Sequence, residues 1–328
     1  MNVTLWVRRC AAAGAGLLLA SVLAAQPTQA VMSLFASDAP VTFLGWSNAY
    51  QLKNDTVALT VVPEIGGRIM GYNLLGKTNL VDIHPSYKGI VVNFQPPKQI
   101  IYYGGCKLWV APQDWGWPPN AYWENARNHV TVFSPRRLQM ASPHVSTSIF
   151  QFTRSIALAP TGAQVTFDHY MRNVSTTPRT NAIWALNTTA LPCWLLAPVG
   201  ATNWGTARPS FQQANDVLYH YASNPDGLKL FVMTNHPWVA ALTTNLLWVM
   251  WGEPTGAAHF TAGEAPIEIW YGNASPAHPF AEFELQSPAY VVAPGERVTY
   301  TMYWTIKEMN GTSLGDALEG LRELGFSQ

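Results

Sequence analysis

The feature that most limits the fold is a rhythm. From the fifties to residue 306 the chain runs in short β-branched and aromatic stretches, each cut off by Pro, Gly or Asn. Segment 57–62 reads Val-Ala-Leu-Thr-Val-Val and stops at Pro63. Gly66-Gly67 then marks a turn or bulge, and extended structure resumes over 68–73. The same pattern predicts strands over 128–133, 148–158, 164–172, 182–189, 229–234, 246–251, 267–271, 280–285 and 297–306. So many punctuated strands predict an all-β fold, a large antiparallel sandwich or barrel. One helix is expected near the end, with Ser313 as its cap and Leu314, Leu318, Leu321 and Leu324 at helical spacing. It is expected to seal one end of the sandwich. Two stretches, 96–125 and 187–215, show no regular pattern and are rich in Pro, Gly and Trp. They read as long functional loops.

Residues 1–30 carry a different signal. Arg8-Arg9 precede an uncharged apolar run over 11–25, and Thr28-Gln29-Ala30 offers small residues for cleavage. This is the pattern of a secretory signal peptide. The run is shorter than the ~20 apolar residues a bilayer requires. The expectation is an exported chain, periplasmic or secreted, with one domain over 31–328 and no membrane span after cleavage. No linker, charge run or internal repeat divides that domain.

The whole chain balances 19 basic against 19 acidic residues. Loss of Arg8 and Arg9 leaves 17 against 19, a formal charge of −2. That excludes a polyanion partner, because nucleic-acid binding needs a basic footprint. Cleavage also removes Cys10 and leaves Cys106 and Cys193. An oxidising compartment permits a disulfide between them; two separate buried thiols are the equal alternative. No Cys/His spacing suits zinc, and no EF-hand or P-loop is present, so no cofactor or metal is expected.

Four places in the chain are weighed as candidates for chemistry. The densest is 102–119, which places Trp109, Trp115 and Trp117 beside Lys107, Gln113 and Asp114. Sugars present an apolar C–H face and a rim of hydroxyls, so aromatic platforms with a few fixed polar groups suit them. The plain alternative for any one tryptophan is a staple holding the loop to the core. In 280–286, Glu282, Glu284 and Gln286 alternate with Ala281, Phe283 and Leu285. A strand would turn both carboxylates to one face, about 7 Å apart. Such a pair can divide into acid and base if its surroundings separate the two pKa values. In 165–173, alternation groups His169 with Val165, Phe167 and Met171, which marks a core histidine rather than a catalyst. Arg68 follows the Gly66-Gly67 kink, where the backbone can approach a ligand closely.

These residues together resemble the galactose mutarotase-like superfamily. The segment 61–73, with Pro63 and Gly66-Gly67-Arg68-Ile69, is similar to its first strands. The string Tyr103-Gly-Gly-Cys-Lys-Leu-Trp-Val-Ala-Pro-Gln113, followed by Trp117-Pro-Pro119, is similar to an uncharacterised bacterial branch of it. The strand ending at Asn173 and the segment from Glu282 through Ala293-Pro-Gly-Glu296 to Trp304 resemble its later parts. The resemblance implies a large antiparallel β-supersandwich with a sugar-binding face. It also implies ring opening of sugars by a His acid and a Glu base. Glu282 or Glu284 would be the base, but the strand where the family keeps its histidine reads Asn181-Ala-Ile-Trp-Ala-Leu-Asn187. The leading expectation is therefore an exported saccharide-binding protein with Arg68, Lys107, Trp109, Gln113, Asp114, Trp115 and Trp117 on the ligand. The alternatives are an aldose epimerase-like enzyme using Glu282 or Glu284 and a non-catalytic envelope interaction module.

Overall fold

Alternation within each strand sorts side chains onto two faces, and the chain uses this to stack two antiparallel sheets. The computed structural model describes residues 40–93, 96, 99–256, 259–274 and 277–327. The segment 1–30 lies outside the described residues.

The first sheet has eleven strands. In spatial order they are Val41–Phe43, Trp46–Lys53, Val57–Val62, Arg68–Leu74, Cys106–Ala111, Arg179–Ala190, His278–Gln286, Ile267–Ala274, Leu228–Met233 and Thr202–Trp204. Tyr290–Val292 pairs with the start of Arg179–Ala190. The second sheet has ten strands, in the order Gln212–Ala214, Val217–Ala222, Cys193–Pro198, Trp238–Thr243, Leu246–Gly252, Arg297–Glu308, Val165–Asn173, Phe150–Leu158, Arg137–Ala141 and His129–Ser134. The main core lies between the sheets, where Phe167, Trp248, Phe283 and Trp304 are fully buried. In Phe150–Leu158 and Val165–Asn173 every second residue is buried, as expected for sheets covered on one face. Cys106–Ala111 is buried at all six positions. Its outer face is therefore also covered, and that cover forms the site described below.

Most predicted strands are present within a few residues of the expected bounds, and the all-β antiparallel sandwich is observed. Both stretches expected to be irregular differ from expectation. The stretch 96–125 contains the strand Cys106–Ala111 and the short helix Ala121–Glu124, and 187–215 contains the end of Arg179–Ala190 and the strand Cys193–Pro198, which pairs on both edges. The helix Leu314–Glu323 starts at Ser313, whose hydroxyl accepts from the Asp316 N–H. It does not seal an end of the sandwich. Ala317 and Leu321 pack with Leu247 and Val249 on the outer face of the second sheet, because those two strand positions point away from the main core.

Cys106 and Cys193 are not bridged; both thiols are free and buried. The strands that carry them belong to different sheets, and burial pushes each thiol up to about 12. His169 is buried and stacked on Phe167, and burial holds its imidazole well below the ordinary range, so it is a neutral core residue.

Candidate functional site

The same parity that fills the core builds a polar, tryptophan-walled cleft on the opposite face of the first sheet. Cys106, Leu108 and Val110 enter the core, so Lys107 and Trp109 face outward. Ala281, Phe283 and Leu285 enter the core, so Glu282 and Glu284 face outward. Ile183 and Ala185 leave Trp184 and Leu186 outside, and Leu230 and Val232 leave Lys229 outside. Strand register then assembles one row: Lys107 lies opposite Leu186, Leu186 opposite Glu284, and Glu284 opposite Glu268. The resulting cleft has a volume of about 280 Å³.

Tryptophan forms much of its wall. Trp109 meets Trp184 edge-on at 5.6 Å and Trp117 at 6.1 Å. Trp270 and Phe280 add to the far side, 5.3 Å apart. Trp117 is 53% exposed, an open ring at the mouth. Two lysines lie against this wall. The Lys107 ammonium is 4.2 Å from the Trp109 ring centre and pairs with Glu282 at 3.4 Å. The Lys229 ammonium is 4.8 Å from the Trp184 ring centre. Gln113 and Asn273 supply neutral polar groups.

Below them is a buried charge cluster. Glu268 and Glu284 face each other across two strands, a repulsive arrangement for two carboxylates. Lys229 resolves it by inserting its ammonium between them, 2.7 Å from Glu268 and 3.0 Å from Glu284. The Trp184 indole N–H donates to Glu284 Oε2 at 2.6 Å, and the Gln286 amide donates to Glu268 Oε1 at 3.1 Å. Burial pushes both carboxyls up, Glu284 to about 7 and Glu268 to about 8, with Lys229 opposing that rise. Burial also pulls on the Lys229 ammonium, but the two carboxylates outweigh it and hold that proton more tightly than usual. Burial thus favours the protonated form of each carboxyl, and the Lys229 ammonium between them favours the ionised form.

Of the nine expected site residues, Lys107, Trp109, Gln113, Trp117, Glu282 and Glu284 line this cleft. Arg68 does not. It is 1% exposed, ion-paired with Glu124, and donates to the carbonyl of Gly104 at 3.0 Å. Glu124 sits in the short helix Ala121–Glu124, and its other carboxylate oxygen accepts from the Trp109 indole N–H at 2.7 Å. Arg68 thus acts at one remove, by fixing the carboxylate that fixes Trp109. Trp115 is a staple: its indole donates to the carbonyl of Val110 at 2.8 Å and its ring packs between Trp109 and Trp123. Asp114 is exposed and is not part of the cleft wall.

Lys229, Glu268, Trp184 and Trp270 were missed at the level of sequence. Their signal was available in part: Glu268 and Trp270 alternate with Ile267, Ile269 and Tyr271 just as Glu282 and Glu284 alternate with their neighbours. A histidine also lies on this face. His278 shares its strand face with Phe280 and Glu282, and its Nε2 is 2.9 Å from Asp82. Burial raises the Asp82 carboxyl, and the facing His278 pulls it back only in part. Among the described residues no group of three or more His, Cys, Asp or Glu is placed to hold a metal ion. No helix among them is long and apolar enough to cross a membrane.

A family model described as a domain of unknown function (DUF4380) matches residues 48–307. The chain belongs to that family. No curated protein matches it. Solved structures of the same fold include a putative aldose 1-epimerase from Klebsiella pneumoniae, with a TM-score of 0.57 and 9% identity over 84% of this chain and 83% of that one. A galactose mutarotase-like protein from Lactobacillus casei has a TM-score of 0.54 and 8% identity over 79% of this chain and 100% of that one. A putative aldose 1-epimerase from Escherichia coli K12 has a TM-score of 0.51 and 13% identity over 80% and 99%. At these identities the DUF4380 chain shares with them the galactose mutarotase-like fold.

Proposed function

We propose that this DUF4380 protein is an exported carbohydrate-binding protein whose saccharide site is the tryptophan-walled cleft. The observation that carries the reading is the union of Trp109, Trp117, Trp184 and Trp270 with Lys107 and Glu282 in one cleft. Ring faces serve the C–H side of a sugar, and the lysine, carboxylate and amide groups serve its hydroxyls. Both lysines already face carboxylates, so no unmatched cation awaits an anionic ligand. A neutral sugar fits this balance. The volume falls just under the ~300 Å³ at which typical ligand pockets begin, which suits one ring rather than a long chain. Calorimetry with neutral mono- and disaccharides tests the proposal. At least one should bind, and Trp117→Ala, at the exposed wall, should weaken it about tenfold. A folded protein that binds none of them removes the reading.

A catalytic reading of the same cleft rests on a separate observation. Burial favours the protonated form of Glu284, while Glu282 faces the Lys107 ammonium. Two carboxyls in such different settings can act as acid and base on a sugar hemiacetal. Polarimetry on α-glucose and α-galactose decides it: rates above the spontaneous ones, lost in Glu282→Gln, support an epimerase-type activity, and spontaneous rates exclude it for those sugars.

A further inference from the structure

A second aromatic surface lies on the far side of the core from the cleft. On the second sheet, Trp248, Met250, Met302 and Trp304 point into the core. The positions between them point outward, and there Trp238, Trp251 and Tyr303 stand directly opposite one another on three neighbouring strands. Trp251 and Tyr303 stack at 5.3 Å with 20° between their planes. A fourth ring arrives from the C-terminal helix. Gly325 takes the left-handed conformation, φ +81°, just after the helix. The N–H groups of Gly325 and Phe326 return to the carbonyls of Arg322 and Leu321. This turn folds Phe326 back onto Trp251 at 5.2 Å and Trp238 at 6.0 Å.

These rings floor an open groove of about 550 Å³, twice the volume of the cleft and well within the range of ligand sites. Its rim is polar. Gln164, His236 and Glu253 line it, and a proline follows each of the last two, Pro237 after His236 and Pro254 after Glu253. The Tyr303 hydroxyl donates to Glu253 at 2.6 Å, which fixes the carboxylate at the groove's edge. Trp251, Tyr303 and Phe326 are each only half-buried, so ring surface stays open to solvent.

The ring geometry selects the ligand. A quaternary ammonium needs opposed ring faces with a cation's width between them. Here neighbouring rings touch, at 5.2 and 5.3 Å, and leave no such gap. A continuous aromatic floor with acceptor and amide groups along one edge instead suits the repeating C–H faces and hydroxyl rims of linked sugar rings. We propose that this groove is a second saccharide site, for a neutral oligosaccharide, on the face of the second sheet turned away from the cleft.

The test is calorimetric titration of the full chain with maltopentaose, cellopentaose and laminaripentaose. At least one should bind. Trp251→Ala should weaken that binding about tenfold, and Trp117→Ala at the cleft should leave it in place. Glu253→Gln alters an exposed rim residue and decides the matter if Trp251→Ala does not fold; it should weaken binding severalfold with an unchanged circular dichroism spectrum. The proposal is overturned if wild type binds none of the three. It is also overturned if both groove variants bind as wild type does, or if binding is lost only in Trp117→Ala, which would assign the oligosaccharide to the cleft.

Discussion

Replacing Lys229 with Met isolates the electrostatics beneath the cleft. The ammonium stands 2.7 Å from Glu268 and 3.0 Å from Glu284, and the two carboxylates are 2% and 1% exposed. Met keeps the length and apolar stem of the side chain but removes the charge. The sign follows from the direction of the carboxyl shifts. Burial raises both, so each binds its proton more tightly folded than unfolded. Their contribution to stability is complete below the unfolded range, near 4.3, and is lost as pH rises through about 7 for Glu284 and about 8 for Glu268. Without Lys229 both values move higher still. At pH 5 the carboxyls are protonated in either protein, and the variant should lose about 1 kcal/mol from the missing hydrogen bonds. At pH 9 wild type can ionise both groups and the variant cannot. That is two pH units above Glu284 and one above Glu268, at about 1.4 kcal/mol per unit, or roughly 4 kcal/mol. This agrees with the ~3–5 kcal/mol for breaking one partner of a buried ion pair. Urea titrations of both proteins at pH 5 and pH 9 measure the difference. Adding Glu284→Gln to Lys229→Met should recover much of the pH 9 loss, because it removes one of the unmatched acids. A loss equal at both pH values, or a double variant no better than the single, refutes the assignment of a proton-holding carboxyl pair under Lys229.

Glu124→Gln should cost about 3–5 kcal/mol, because it leaves the Arg68 guanidinium buried beside a neutral amide; a urea midpoint unchanged from wild type would show that Arg68 does not depend on that carboxylate. Gly66→Ala should destabilise by about 2 kcal/mol or more, since φ is +81° and the added methyl would lie 2.2 Å from the Glu124 carbonyl oxygen; thermal melting checks this, and a neutral result would mean the turn yields without strain. Cys106 and Cys193 should not react with Ellman's reagent in the native protein and should both react after denaturation, with the melting temperature indifferent to reductant. A melting point lowered by reductant would contradict the free thiols.

The cleft was half legible in the sequence, and the division has a physical basis. Strand alternation is local information, which is why Glu282 and Glu284 could be assigned to one face and Phe283 to the other from seven residues alone. The same rule applied to Ile267-Glu-Ile-Trp-Tyr271 would have turned Glu268 and Trp270 outward. What it cannot supply is register between strands far apart in the chain. Glu268 becomes a partner of Glu284 only because their strands pair at that offset, and Lys229 matters only because it reaches across from a third strand. Arg68 failed for a related reason. The kink at Gly66-Gly67 did mark a close backbone approach, but the approaching group is the short helix Ala121–Glu124, more than fifty residues on, rather than a ligand. The tryptophans of 102–119 show the limit of composition: side by side in sequence, Trp109 and Trp117 wall the cleft while Trp115 staples the loop that holds them. An aromatic-rich loop in a charge-poor β protein therefore announces a covered sheet face. Within the cleft, Glu124 and Glu284 accept from the indole N–H groups of Trp109 and Trp184 and so set the direction in which those two rings face.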